Sequence, residues 1–77
     1  MSKLPVISGV KLIRILEKNG FSIIRQSGSH AQLQGLINNK IVLTTVQNTN
    51  KTLAPYVLNS IIKKQLQITR EEFLKLF

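Results

Sequence analysis

The chain has 77 residues and no cysteine, so we expect a single domain over residues 1–77, held by packing rather than by disulfides or cysteine-based zinc sites. Eleven Lys and Arg residues against three Asp and Glu give a formal net charge of +8, which favours a polyanion or an acidic protein as partner. No apolar run approaches the roughly 18 residues of a membrane span, and charged residues interrupt the N-terminal segment, so we expect a cytoplasmic protein.

The first predicted element is a helix that begins after Ser8, a residue type favoured at helix N-caps. Apolar residues then recur at helical spacing: Val10, Leu12, Ile13 and Leu16. Gly20 can adopt the left-handed conformation that ends a helix, and Phe21 falls where a Schellman cap places its hydrophobic contact with Leu16. The helix is therefore predicted to end at Asn19–Gly20.

Three short segments of strand character follow: "FSIIRQ", "HAQLQGLI" and "KIVLTTV". Ser27-Gly28-Ser29 separates the first two segments and is typical of a turn. Asn38–Asn39 separates the second and third, and asparagine tolerates the positive φ that a two-residue hairpin turn needs. Because the links are this short, we expect an antiparallel meander of three strands.

Alternation along the second strand predicts two faces. Ala31 and Leu33 share one face, while the other face carries polar side chains: His30, Gln32 and Gln34. Gly35 suggests a β-bulge in this strand. The face of Arg25 in the first strand stays open, because Phe21 and Ile23 share its parity.

Two helices are predicted after a polar loop. Pro55 suits the first turn of the longer one, whose apolar stripe comprises Leu58, Ile61, Ile62 and Leu66. Thr69 and Glu72 form a predicted capping box at the start of a short final helix. The fold class is thus α+β: an α-β-β-β-α order like that of double-stranded-RNA-binding domains, with a three-stranded antiparallel sheet packed on two helices.

Two long stretches of the chain resemble a known family. "GVKLIRILEKNGFSIIRQSGSHAQLQG" resembles the start of the HicA (YcfA-like) toxins, in which a helix ending in Leu-Glu-Lys-x-Gly-(Phe/Trp) precedes a strand with an arginine and a Gly-Ser-His turn. "TLAPYVLNSIIKKQLQITREEFLKL" is similar to the second helix and closing segment of these toxins. The resemblance covers nearly the whole chain.

The resemblance implies a toxin of a type II toxin–antitoxin system that cleaves mRNA as an endoribonuclease, with neither metal nor cofactor. The catalytic histidine of that family maps onto His30. An acidic HicB-like antitoxin is the implied protein partner, and the free toxin is expected to be monomeric. Many members carry a second histidine or an aromatic residue after the motif, or a further histidine after the third strand; this chain has Ala31–Gln32 and Val46–Asn48 at those positions.

The chemistry of the chain is compatible with this role. His30 is its only histidine, and histidine is the side chain best suited to transfer a proton near neutral pH. Residues that we expect at the RNA-contacting surface are Arg25, Gly28, Ser29, Lys40 and Lys51. Two alternatives remain at this stage: a non-catalytic RNA-binding module on the same fold, and a domain whose basic face docks an acidic protein partner.

Overall fold

The computed structural model describes residues 4–77; residues 1–3, which the predicted domain includes, lie outside the described residues. Its elements follow in the order α1 (Gly9–Lys18), β1 (Ser22–Ser27), β2 (His30–Ile37), β3 (Lys40–Gln47), α2 (Pro55–Ser60), a π-helical segment (Ile61–Leu66) and α3 (Arg70–Leu74). The predicted α-β-β-β-α order and the α+β class are confirmed. Within residues 4–77, no helix is long and apolar enough to cross a bilayer.

The three strands form one antiparallel sheet in the order β1-β2-β3. Asn38 and Asn39 connect β2 to β3 with φ values of 53° and 65°, the positive pair that a type I′ turn requires. Gly28 and Ser29 connect β1 to β2, and only Gly28 has a positive φ, 58°. Both predicted hairpins are therefore present, each with a two-residue turn that fixes the pairing of the strands beside it.

All helices pack against one face of the sheet, which we call the inner face. Side chains at alternate positions of β2 and β3 are buried there: Ala31, Leu33, Thr44 and Val46. The three apolar ones join one core cluster with Leu12 and Leu16 of α1 and with Ile62 of the π-helical segment. No helix within residues 4–77 covers the opposite, outer face, so its side chains reach the solvent.

Helix α1 begins and ends as its sequence predicts. The Lys11 amide donates to Ser8 Oγ at 3.2 Å, which caps the first turn. At the other end the Phe21 amide donates to the Leu16 carbonyl at 3.0 Å and the Gly20 amide to the Glu17 carbonyl at 3.2 Å. These two bonds make a Schellman motif, with Gly20 at a φ of 91°.

Over residues 22–47 the sheet contains one irregularity of register, and it lies in β1 and not in β2, where a bulge was predicted. The pairing of β2 with β3 is regular through Gly35, which lies opposite Val42, whereas β1 shifts register between Ile23 and Arg25. A Cβ on Gly35 would collide with the Phe21 ring, so this glycine makes room for an aromatic side chain. The prediction of a bulge at Gly35 was wrong; β1 carries the irregularity.

The C-terminal elements hold the helical layer together. The side chain of Gln65, in the π-helical segment, accepts from Thr44 Oγ1 at 2.6 Å and from the Thr45 amide at 2.8 Å, which covers part of the free edge of β3. The capping box of α3 is present: Glu72 N–H donates to Thr69 Oγ1 and Thr69 N–H donates to Glu72 Oε1. The Thr69 amide, and then a hydrogen bond with Asn38, lower the pKa of Glu72 below its usual value.

Candidate functional site

His30 is the first residue of β2 and is exposed on the outer face of the sheet. Strand pairing arranges the polar side chains around it in two rows. The first row comprises Ser27, His30 and Gln47, and the second comprises Arg25, Gln32 and Thr45. Five of these six line an open depression of about 240 Å³: Arg25, Ser27, His30, Gln32 and Thr45. We call these five residues the polar half of the outer face.

The β1–β2 turn and the bulge together bring Arg25 to this face. Because the turn has two residues, Ser27 lies opposite His30 and Arg25 lies opposite Gln32. Residues directly opposite each other in an antiparallel pair project to the same side of the sheet. Ile23, which lies opposite the inner-facing Leu33, is on the other side although its parity matches that of Arg25. The extra residue in the bulge accounts for this change of face.

The spacing in the polar half suits a phosphate-sized group. His30 and Arg25 are diagonal neighbours across β1 and β2, a relation that places Cβ atoms roughly 7–8 Å apart and leaves long side chains within reach of each other. An imidazole, a guanidinium, two hydroxyls and an amide therefore border the same depression. This arrangement can transfer a proton at His30 while Arg25 neutralises charge on an anion between them.

The turn before His30 is tied to the end of β3. The Asn48 amide donates a hydrogen bond to the Ser29 carbonyl, which extends the contact between β2 and β3 by one residue. Gly28 adopts a positive φ at the first turn position, where glycine has no Cβ to strain the backbone. The predicted site residues Gly28 and Ser29 therefore lie next to His30, and the hydrogen bond restrains the backbone that carries the imidazole.

The two predicted lysines lie elsewhere. Lys40 pairs with Ile37 at the far end of β2, seven residues or roughly 23 Å from His30, and its position in β3 has inner-face parity. Lys51 is in the loop after β3, where its amide donates to Thr49 Oγ1. Neither lysine lines the depression beside His30. The structure thus brings together Arg25, Gly28, Ser29 and His30, and leaves Lys40 and Lys51 outside.

Sequence reasoning did not select Gln32 and Thr45 as members of the site. Alternation along β2 places Gln32 on the face of His30, but polarity alone predicts no role for it. Thr45 follows from register: the two-residue turn at Asn38–Asn39 pairs it with Gln32. The sequence did contain the necessary signal: once Asn38–Asn39 is taken as a two-residue turn, counting residues outward from it pairs Gln32 with Thr45.

The other end of the outer face is apolar. Four large side chains are exposed there, at 50%, 63%, 68% and 47% of their full area: Ile24, Leu36, Ile41 and Leu43. Leu36 lies directly opposite Ile41, and both border a depression with Ile24. We call these four residues the apolar half of the outer face. It is contiguous with the polar half through Gln34, which pairs with Leu43.

Potential metal ligands are sparse. The whole chain has one histidine, three acidic residues and no cysteine. Among residues 4–77, no three side chains of the ligating types His, Cys, Asp and Glu come together. Glu71 and Glu72 are on α3, which packs on the inner side of the sheet, away from His30. The side chains around His30 offer imidazole, guanidinium, hydroxyl and amide groups.

Comparison with known proteins bears on the identity of the chain. Neither a curated protein nor a solved structure matches it. The model of the family described as "HicA toxin of bacterial toxin-antitoxin" matches residues 9–68, from the first residue of α1 to the end of the π-helical segment and the turn after it. This match includes His30 and every residue of both halves of the outer face. The chain belongs to the HicA toxin family of bacterial toxin–antitoxin systems.

Proposed function

We propose that this toxin is a metal-independent endoribonuclease that cleaves mRNA in the cytoplasm, with His30 as its acid/base catalyst. The observation that carries the proposal is the position of His30 in the polar half, exposed and bordered by Arg25, Ser27, Gln32 and Thr45. RNA carries its own nucleophile, the ribose 2′-hydroxyl, so a shallow site without a metal suffices for this reaction. The net charge of +8 favours the polyanionic substrate.

In this mechanism the neutral imidazole of His30 accepts the proton of the 2′-hydroxyl as its oxygen attacks the adjacent phosphorus. The bond from phosphorus to the 5′-oxygen breaks, and that oxygen takes up a proton. In-line attack puts the entering and leaving oxygens on opposite sides of the phosphorus, so one imidazole is not adjacent to both. Water delivers the second proton, because this chain has no second histidine. One proton transfer is typically worth roughly 10²- to 10⁴-fold in rate.

Arg25 binds the phosphate and stabilises the charge that develops on its oxygens. A guanidinium suits this task because it is always charged and presents several donors to a phosphate. Ser27 and Thr45 offer hydroxyl groups, and Gln32 an amide, to ribose or phosphate oxygens on either side. The products are a 2′,3′-cyclic phosphate and a 5′-hydroxyl end, since no water molecule is the nucleophile.

The experiment compares the wild-type protein with His30→Ala and His30→Gln on a labelled mRNA in the presence of EDTA. We expect the wild type to cleave with EDTA present and to leave 5′-hydroxyl ends, which polynucleotide kinase labels without prior phosphatase treatment. Both variants should cleave at least about 10²-fold more slowly. Since His30 is exposed, thermal unfolding should show that both variants remain folded.

Leu36→Ala is the matched control, because it changes an exposed residue of the same strand outside the polar half. It should cleave RNA at the wild-type rate. Equal cleavage by the wild type and His30→Ala would exclude His30 as the catalyst. Intact RNA that the wild type retains with a steep salt dependence would instead identify a non-catalytic RNA-binding module.

The family consists of toxins that are paired with antitoxins. The exposed aliphatic side chains of the apolar half are a candidate binding surface for the antitoxin. We propose that an acidic antitoxin contacts the exposed side chains of this half and extends over His30, so that one protein surface covers both halves. Apolar patches rimmed by polar groups are typical of protein interfaces. The free toxin is then a monomer, and sedimentation should detect a one-to-one complex that no longer cleaves RNA. A dimer of the free toxin would instead assign the apolar half to a second copy.

A further inference from the structure

The solvent side of α1 carries a row of cations that the proposed reaction does not use. Lys11, Arg14 and Lys18 are all exposed, and their spacing of three and four residues puts them on one side of the helix. They border a groove of about 450 Å³ together with Ser8, Val10, Ile15 and Asn50. We call Lys11, Arg14 and Lys18 the basic row. It spans roughly 10 Å along the helix axis.

Cations outnumber acidic residues around the basic row. Glu17 is the only acidic residue before α3, so one carboxylate on α1 accompanies the three cations of the row. Three like charges on two turns of helix repel one another. A polyanion that lies along the row relieves this repulsion and releases its own bound counterions, so its binding is favourable at physiological salt.

The basic row begins at the end of the molecule that carries His30. The Val10 amide, in the first turn of α1, donates to the Thr49 carbonyl at 3.0 Å. One residue earlier in the chain, the Asn48 amide donates to the Ser29 carbonyl beside His30. The short segment 48–49 thus joins the start of α1 to the turn before His30, and Lys51 follows two residues later. A strand that leaves the polar half can cross this segment and continue along α1.

The chemistry of the row indicates RNA and not a protein. Among the described residues, none of the exposed large apolar or aromatic side chains belongs to α1. Ile15, the apolar neighbour of the row, is buried at 8% exposure. Protein interfaces are centred on such apolar or aromatic anchors, whereas contacts to a phosphate backbone need cations and no anchor.

We propose that Lys11, Arg14 and Lys18, with Lys51 at the crossing, bind the backbone of the substrate RNA at a distance from the bond that is cut. This inference rests on the proposed function, because it assumes that the same RNA occupies the polar half. The row holds phosphates without reading bases. It therefore increases affinity for long RNA and leaves the chemical step at His30 unchanged.

The test uses a triple variant, Lys11→Gln with Arg14→Gln and Lys18→Gln, and a charge-matched control, Lys63→Gln with Lys64→Gln and Lys75→Gln. All six residues are exposed, and glutamine has nearly the helix propensity of lysine and arginine. Binding is measured with an RNA of roughly 12 nucleotides whose 2′-oxygens are methylated, so that it cannot be cleaved. Cleavage is measured separately on an unmodified dinucleotide, which is too short to reach α1 from His30.

We expect the slope of log affinity against log salt concentration to fall by about 2 in the basic-row variant, near 0.7 for each lost phosphate contact. The control should keep the wild-type slope. Dinucleotide cleavage should be the same in the wild type, the variant and the control. An unchanged slope in the basic-row variant, or an equal decrease in the control, would overturn the proposal.

These measurements distinguish a failure of the proposed ribonuclease function from a failure of the basic-row proposal. If the wild type does not cleave the dinucleotide or longer RNA, His30 is not a ribonuclease residue. The slope difference between the two triple variants still decides whether α1 binds RNA. If the wild type cleaves both RNAs and the slopes are equal, the ribonuclease stands and the basic row has no part in RNA binding.

Discussion

The two halves of the outer face share three strands and one surface, yet their chemistry is opposite. The polar half has an imidazole, a guanidinium, hydroxyls and an amide around a small depression, and the apolar half has four exposed aliphatic side chains. The rows of His30 and Leu36 lie six residues apart along β2, or roughly 20 Å. A single sheet face can therefore bind two kinds of ligand. The composition of the polar half suits RNA, and that of the apolar half suits a protein.

This contrast assigns separate tasks to the two halves in our proposal: RNA cleavage to the polar half and antitoxin binding to the apolar half. Aliphatic side chains contribute little to RNA binding, since a phosphate backbone offers them nothing to pack against. An interface with a protein gains roughly 1.5–3 kcal/mol from each large aliphatic side chain that it buries fully. Substitutions in the polar half should therefore change cleavage, and substitutions in the apolar half should change the complex with the antitoxin.

The largest effect on the stability of the free toxin should come from Gly9, which lies beneath the polar half. A Cβ at this position would collide with the carbonyl oxygen of Gln47, the residue that pairs with His30. Gly9→Ala must move either α1 or the end of β3, and we expect a loss of about 3 kcal/mol in the free energy of unfolding, measured by urea denaturation. The control is Gly20→Ala, whose Cβ meets nothing within 4 Å and whose positive φ alone costs about 1–2 kcal/mol.

Hydrogen exchange locates the damage. In Gly9→Ala the amides at the end of β3 should exchange faster than in the wild type, while those near the Asn38–Asn39 turn should change little. A variant as stable as the wild type would show that the contact of α1 with β3 is loose. In that case the polar half would not depend on it.

Within the polar half, Arg25→Gln should lower the rate of RNA cleavage by about 10²-fold, because the guanidinium no longer stabilises charge on the phosphate. Arg25→Lys should recover part of the loss, since lysine keeps the charge but not the planar array of donors. Lys63→Gln removes the same charge from an exposed position on the helical side and should cleave normally. Equal rates for Arg25→Gln and the wild type would remove Arg25 from the site.

Much of this arrangement was predictable because local rules determine it. Ser8, Gly20 and the Asn38–Asn39 turn have residue types whose conformational preferences set the ends of α1 and the β2–β3 register. His30 was placed correctly on the solvent face for the same reason. Each of these predictions needed only neighbours in sequence.

The remaining features depend on contacts distant in sequence. Phe21 is buried against Gly35, which fixes the start of β1, while the turn at Gly28 fixes its end; the bulge between Ile23 and Arg25 accommodates the extra residue. This is why the face of Arg25 stayed open from the sequence. The exposure of Ile41 in "KIVLTTV" was equally hidden, because that strand has apolar residues on both of its faces.

The apolar half should respond to a different measurement. Leu36→Asn combined with Ile41→Asn removes two side chains that are 63% and 68% exposed, so the stability of the free toxin should change little. If each side chain contributes roughly 1.5–3 kcal/mol when buried, affinity for the antitoxin should fall at least 10²-fold, as calorimetry would show, and RNA cleavage should persist. Val6→Asn, at an exposed position outside the sheet, is the control. Normal antitoxin binding by the double variant would place that interface elsewhere.

The smallest effect concerns the turn that supports the apolar half. Hydrogen bonds from Thr69, and a further one with Asn38 of this turn, lower the pKa of Glu72 below its usual value. A carboxyl group whose pKa is lower in the folded state stabilises that state above its ordinary pKa of 4.5, and this contribution is lost as pH falls through the folded value. Thermal unfolding of the wild type should therefore shift downward slightly more between pH 5 and pH 3 than that of Glu72→Gln, which cannot ionise. Glu17→Gln, on α1, is the control and should keep the wild-type pH dependence of thermal unfolding. If Glu72→Gln also keeps that dependence, the contact of α3 with the β2–β3 hairpin has no energetic role, and the apolar half is supported by its strands alone.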